Sequence, residues 1–103
     1  MIQPYSRIGN NVIVWSGNHL GHHSVIEDNC FIASQAVVSG NVRIGGNSFV
    51  GVNATIRDNL KVGKYNLIGA GAVILKDTLD YEVYAAKGST VKMPGRSIDV
   101  RHI

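Results

Sequence analysis

Residues 39–62 read SGNVRIGGNSFVGVNATIRDNLKV, and within them Ile44, Val50, Ile56 and Val62 fall six residues apart. Followed outward, the interval does not break. Ile2, Ile8, Val14, Leu20, Ile26, Ile32 and Val38 precede the stretch in register, and Ile68 and Ile74 follow it. All thirteen are branched aliphatics. A fixed short period is the mark of a stacked repeat, and it takes precedence over any segment-by-segment assignment.

The other columns of the hexad say what each repeat does. The fifth column (Ser6, Val12, Asn18, Ser24, Cys30, Ala36, Val42, Ser48, Ala54, Leu60, Asn66, Ala72, Thr78) is mostly small. It lies four residues after the aliphatic column, so in extended chain both face one side. The fourth column is dominated by Asn and Gly: Asn11, Gly17, Asn29, Asn41, Asn47, Asn53, Asn59 and Gly71 are members, and Tyr5, His23, Gln35, Tyr65 and Asp77 complete it. Asn and Gly tolerate φ > 0 best, so this column predicts a turn in the left-handed region. Each hexad is then a short strand and a bend. Three hexads close a triangle and return the chain above its start, where neighbouring coils pair as parallel strands about 4.8 Å apart. The expected fold is all-β: a parallel β-helix of a little over four coils over 1–79, followed by a short C-terminal strand and tail over 80–103. In that tail, Glu82–Ala86 and Thr90–Met93 read as strands covering the open end.

With 103 residues the chain is one domain at most. The formal charge of +3 and pI near 9.3 are mildly basic, with no run of cations. Scattered basic residues and few aromatics argue against nucleic acid. No signal peptide or apolar membrane span is evident, which leaves a cytoplasmic location as the expectation. Cys30 is the only cysteine, so no internal disulfide forms, and its fifth-column place predicts a buried thiol.

Three of the four histidines lie within Gly-Asn-His-Leu-Gly-His-His-Ser, residues 17–24. Imidazole suits general-base chemistry because it exchanges protons near neutrality. His23 occupies the turn column and needs no functional reason to be there. His22 has no such structural reason; its stack-mates eighteen residues apart are Pro4, Gly40, Asp58 and Lys76. Adjacent side chains diverge along an extended strand, so His22 and His23 are not expected to share a metal, and no metal site is predicted. Trp15 also departs from its column, whose stack-mates are Ala33, Gly51 and Gly69.

The motifs Gly21-His22-His23-Ser24-Val25-Ile26, residues 39–45, Phe49-Val50-Gly51-Val52-Asn53-Ala54 and Leu67-Ile68-Gly69-Ala70-Gly71-Ala72-Val73 resemble the hexapeptide-repeat, left-handed parallel β-helix acetyltransferases. Within these, the resemblance is to bacterial sugar enzymes of the sialic-acid O-acetyltransferase and bacillosamine-pathway N-acetyltransferase type. It implies left-handed winding, a homotrimer, acetyl-CoA as co-substrate, and a sugar or nucleotide-linked amino sugar as acceptor. It further implies His22 as general base with His23 as its orienting neighbour, at a position that is acidic in some members. A neutral imidazole can accept a hydrogen bond but supplies no negative charge. The resemblance places acetyl-CoA against Phe31, Val52 and Ala70, with Gly51 and Gly69 beside them, in a cleft between prisms; Trp15, Asn18 and His19 are the candidates for contact with the acceptor, and an interface role explains Trp15 and His19 as well. Small residues there let a ligand lie against backbone amides, which can stabilise an oxyanion. Lys76 and Lys87 are long enough to reach CoA phosphates, but solvated surface is the better explanation for them.

The period is already running at Ile2, without a polar capping segment. Terminal repeats normally carry one. This suggests that another subunit covers this end or that the chain is part of a longer protein, since full-length relatives carry an amino-terminal nucleotide-sugar-binding domain. The alternative to an enzyme is therefore a truncated, catalytically inert trimerisation or binding module.

Overall fold

The structure, a computed structural model, describes residues 1–86 and the strands Ser89–Lys92 and Asp99–His102. Residues 1–86 form a three-sided prism of two-residue strands. The first face stacks Arg7–Ile8, Val25–Ile26, Arg43–Ile44 and Lys61–Val62. The second stacks Ile13–Val14, Phe31–Ile32, Phe49–Val50, Leu67–Ile68 and Val83–Tyr84. The third stacks His19–Leu20, Val37–Val38, Thr55–Ile56 and Val73–Ile74, with Ile2 bridging to Leu20. All of these pairings are parallel. Below Leu67 each residue sits over the one eighteen positions earlier, as in Arg7, Val25, Arg43 and Lys61.

The aliphatic column forms the core. Leu20, Ile32, Val38, Ile44, Val50, Ile56 and Ile68 are fully buried, while Ile2 and Ile8 in the first coil are exposed. Burying an aliphatic side chain of this size contributes about 1.5–3 kcal/mol. The fifth column fills the space beside it, and its polar members are satisfied from within. Ser24 Oγ donates to Ser39 O at 2.8 Å, and Ser48 Oγ donates to Gly63 O at 3.0 Å. Cys30 Sγ donates to Gly45 O at 3.2 Å, and burial pushes its thiol up. Among the described residues no buried side-chain N or O lacks a partner, as the cost of an unpaired buried polar group requires.

The turn column behaves as its composition predicts. Tyr5, Asn11, His23, Asn29, Gln35, Asn41, Asn47, Asn53, Asn59 and Tyr65 have φ between 55° and 64°, and Gly17 and Gly71 lie near 70°. Asn side chains also ladder between coils, Asn11 to Asn29 and Asn41 to Asn59, each at 2.9 Å.

Asp77 does not take the left-handed conformation, and there the regular coil ends. Leu67 pairs with Val83, sixteen residues on instead of eighteen. Side chains replace the missing stretch of coil: Asp77 Oδ1 accepts from Lys61 N–H and Asp80 Oδ1 from Lys64 N–H, both at 2.8 Å. The stacking therefore continues past Leu79, where the six-residue period stops. The Val83–Tyr84 strand lies inside the expected Glu82–Ala86 strand and extends the second face. Beyond it, Ser89–Lys92 pairs antiparallel with Asp99–His102. The first of these overlaps the expected Thr90–Met93 strand; Met93 itself and Lys87 lie outside the described residues. The second had no sequence signal. Among the described residues no helix is long and apolar enough to cross a membrane.

Candidate active site

His22 and His23 sit at the corner between the third and first faces, on the turn joining His19–Leu20 to Val25–Ile26. Both are exposed. Contrary to the divergence expected of neighbours in extended chain, the two rings converge, with His22 Nδ1 and His23 Nδ1 3.1 Å apart. The cause is the left-handed backbone of His23, φ 58°, which reverses the alternation of side chains. The ring planes are nearly perpendicular, at 86°. His23 is held from the other side by Tyr5, one coil below, with ring centroids 5.0 Å apart and planes 13° from parallel. The backbone N–H of His22 donates to Gln3 Oε1 at 3.0 Å. Tyr5 and Gln3 carried no sequence motif, but the eighteen-residue interval places Tyr5 under His23.

A single hydrogen fits between the two Nδ1 atoms, so one donates and the other accepts. With His22 Nδ1–H donating to His23 Nδ1, the free lone pair of His22 is on Nε2, and the ring can take a proton there. In the opposite tautomer Nε2 carries hydrogen and cannot. No three His, Cys, Asp or Glu side chains converge on a common point among the described residues.

The residues expected to meet acetyl-CoA lie elsewhere. Phe31 faces outward on the second face, stacked on Phe49 at 5.2 Å and tilted against Trp15 at 6.1 Å. Gly51, Val52, Gly69 and Ala70 form the corner between the second and third faces. Gly51 is buried, because a Cβ there would lie 2.7 Å from Ala70 N and 2.8 Å from Gly69 C. Its φ is not positive, so close approach of coils, not turn geometry, explains it. Val52 and Ala70 are exposed, so their corner offers backbone with little side chain over it. The third face separates this corner from His22, so one prism does not bring the residues expected as base and as acetyl-CoA contacts together.

His19 lies on that third face, half-buried and in register with Val37. Asn18 does not reach the surface. It is 5% exposed, its Nδ2 donates to Trp15 O at 2.6 Å, and its Oδ1 accepts from Ala36 N–H at 3.0 Å. Its amide serves the interior, as its fifth-column place implied, and is not presented to an acceptor at the surface.

The first face carries Arg7, Arg43 and Lys61 outward. Arg43 pairs with Glu27 at 2.7 Å. An open groove of about 460 Å³ runs between Tyr5, Ser6, Arg7, His23, Val25 and Arg43.

The family model for bacterial transferase hexapeptide (six repeats) matches residues 5–40 and 41–76. No curated protein sequence matches. Among solved structures, a histidine-to-asparagine mutant of perosamine N-acetyltransferase from Caulobacter crescentus, in complex with CoA and GDP-perosamine, is similar at 26% identity. That match has a TM-score of 0.78 and covers 80% of this chain and 39% of that one. The acetyltransferase domain of PglB from Neisseria gonorrhoeae, in complex with acetyl coenzyme A, is 27% identical with a TM-score of 0.62, covering 80% of this chain and 49% of that one. Serine acetyltransferase from Neisseria gonorrhoeae shares the fold at 23% identity and a TM-score of 0.74. This chain thus spans half or less of the length of each of these structures.

Proposed function

Because the chain belongs to the bacterial transferase hexapeptide family, we propose that it is an acetyl-CoA-dependent acetyltransferase whose acceptor is a sugar or nucleotide-linked amino sugar. Its fold is accordingly a left-handed parallel β-helix. The observation that carries the reading is the exposed His22–His23 pair, locked by Tyr5 and sharing one hydrogen at 3.1 Å. A surface pair held this firmly suits a general base whose tautomer must be fixed. Two similar structures supply the ligand classes: one holds CoA and GDP-perosamine, the other acetyl coenzyme A.

In this reading, His22 Nε2 takes a proton from the acceptor amine or hydroxyl. The freed N or O lone pair attacks the thioester carbonyl carbon. The carbonyl oxygen becomes an oxyanion facing backbone amides at Val52 and Ala70. Collapse expels the CoA thiolate, which recovers the proton from His22. The products are acetylated acceptor and CoA thiol.

The third face separates the base from the cofactor corner, so the site is completed between copies of the chain in a homotrimer. The second face is suited to that packing. Its outward column is Ile13, Phe31, Phe49, Leu67 and Val83, and Ile13 and Leu67 are about half exposed, at 51% and 47%. An apolar patch of this continuity marks an interaction surface. Trp15, 57% exposed at its edge, then lies beside the acceptor, with His19 on the adjoining face.

His22→Ala is expected to lower kcat for acetyl transfer by about 10²- to 10⁴-fold while leaving the thermal shift with acetyl-CoA intact. Wild-type activity in that variant would remove His22 as the base. Saturating acetyl-CoA, at about a hundred times Kd, stabilises a binding-competent protein by about 2.7 kcal/mol. No shift at millimolar ligand would favour the inert module.

A further inference from the structure

The ring of His22 does not project freely from its corner. It lies across Gly40, the residue one coil above. A Cβ built on Gly40 would stand 2.7 Å from His22 Nε2, 3.0 Å from Cε1 and 3.1 Å from Cδ2. Nε2 is bonded to both carbons, so three nearly equal distances place that point above the face of the ring, over Nε2. The space a side chain would fill at Gly40 is occupied by the imidazole, and the in-plane lone pair of Nε2 is left unobstructed by it.

Other glycines near the site have different reasons. At Gly21, one coil below Ser39, the nearest atoms to an added Cβ are backbone: Gly40 N and Ser39 C at 2.4 Å and Gly40 Cα at 2.7 Å. Gly45 and Gly51 likewise meet backbone of the coil above. Among the described glycines Gly40 alone is crowded by a histidine ring. Its φ is not positive, so a Cβ there is free of backbone strain, and the atoms nearest to it are those of that ring.

We propose that Gly40 is a positioning residue for the acetyl-transfer reaction: its missing side chain leaves the seat in which the His22 imidazole lies in the orientation needed for proton abstraction. The seat fixes one face of the ring, and the Nδ1 contact to His23 fixes its rotation. Carbon contacts settle at about 3.5–4.0 Å, so a methyl group on Gly40 displaces the ring by roughly 1 Å. That displacement also strains the 3.1 Å contact to His23. Misplacement on this scale costs on the order of 10²-fold in rate when the moved group is catalytic. The inference rests on His22 being the base.

The test compares wild type, Gly40→Ala, His22→Ala and the double variant by three measurements: thermal melting, kcat and KM for acetyl transfer, and the imidazole resonances of His22 by NMR. Gly40→Ala is expected to melt with the wild type, to shift the His22 ring signals, and to lose about 10- to 100-fold in kcat with KM for acetyl-CoA unchanged. The double variant is expected to be no slower than His22→Ala alone. Unshifted His22 signals in Gly40→Ala overturn the seat, whatever the activity. Shifted signals with wild-type kcat in Gly40→Ala overturn Gly40 as a positioning residue, whereas wild-type kcat in His22→Ala overturns His22 as the base. Should Gly40→Ala fail to fold, recovery of folding in the double variant supports the steric pairing, and failure of both overturns it.

Discussion

The first and second faces of the prism are alike inside and unlike outside. Inward, one presents Ile26, Ile44 and Val62 and the other Ile32, Val50 and Ile68, all nearly or fully buried. Outward, the same pleat positions carry Arg7, Val25, Arg43 and Lys61 on the first face and Ile13, Phe31, Phe49, Leu67 and Val83 on the second. Backbone, spacing and core chemistry are shared, so stability cannot explain the difference. A solenoid spends its inward column on folding and leaves its outward column free to choose solvent or partner.

That contrast can be broken experimentally, beginning where the effect is largest. If the proposed trimer packs through the second face, Phe49→Asp there is expected to give monomers in sedimentation and to lower acetyl transfer at least about 100-fold, because the proposed site spans two copies. A stable trimer with full activity would remove the second face as the interface. The inward columns should respond alike: Ile44→Ala and Ile68→Ala, one from each face, are each expected to cost about 2–5 kcal/mol by urea denaturation. A wide gap between them would mean that the faces differ inside as well. On the first face, Arg43→Ala breaks only the partly exposed pair with Glu27. It is expected to cost at most about 1 kcal/mol and to leave assembly unchanged.

The smallest effect belongs to the top of the second face. Leu79 N–H donates to Glu82 Oε1 at 2.8 Å, as does the Tyr84 hydroxyl. The first, then the second, holds the Glu82 carboxyl below its ordinary range, and the same bond pushes the Tyr84 hydroxyl up. A carboxyl lowered by folding stabilises the native state above its unfolded pKa, and that contribution fades as pH falls through the lower, folded value. Glu82→Gln should therefore narrow the stability difference between neutral and acid solution, read as melting temperature against pH. An unchanged acid limb would show that these bonds do not persist in solution.

Much of the candidate site was legible because the repeat made departures visible. His22 and Trp15 stood out against columns that did not require them, and the eighteen-residue stack places Gly40 above His22 and Tyr5 below His23. Asn18 shows the limit in one direction: its column marked it as interior, and the structure turns its amide inward to Trp15 O and Ala36 N. The histidine pair shows the limit in the other. Alternation along a strand predicts that neighbours diverge, but the left-handed φ of His23 brings Nδ1 to Nδ1. The shortened last coil was equally hidden, because Asp77 and Asp80 replace backbone partners through side-chain bonds that no periodicity records.

The sequence by itself determined the prism, its interior and its turns, because a six-residue alternation of large aliphatic, small residue and Asn or Gly has one way to bury its apolar side. Only the tertiary structure decided how the histidines face each other, which glycine lies under a ring and which against backbone, and that the histidine corner and the corner of Gly51 and Gly69 lie apart in one copy. Those outcomes depend on distances between coils and on backbone torsions at single residues, and a period specifies neither.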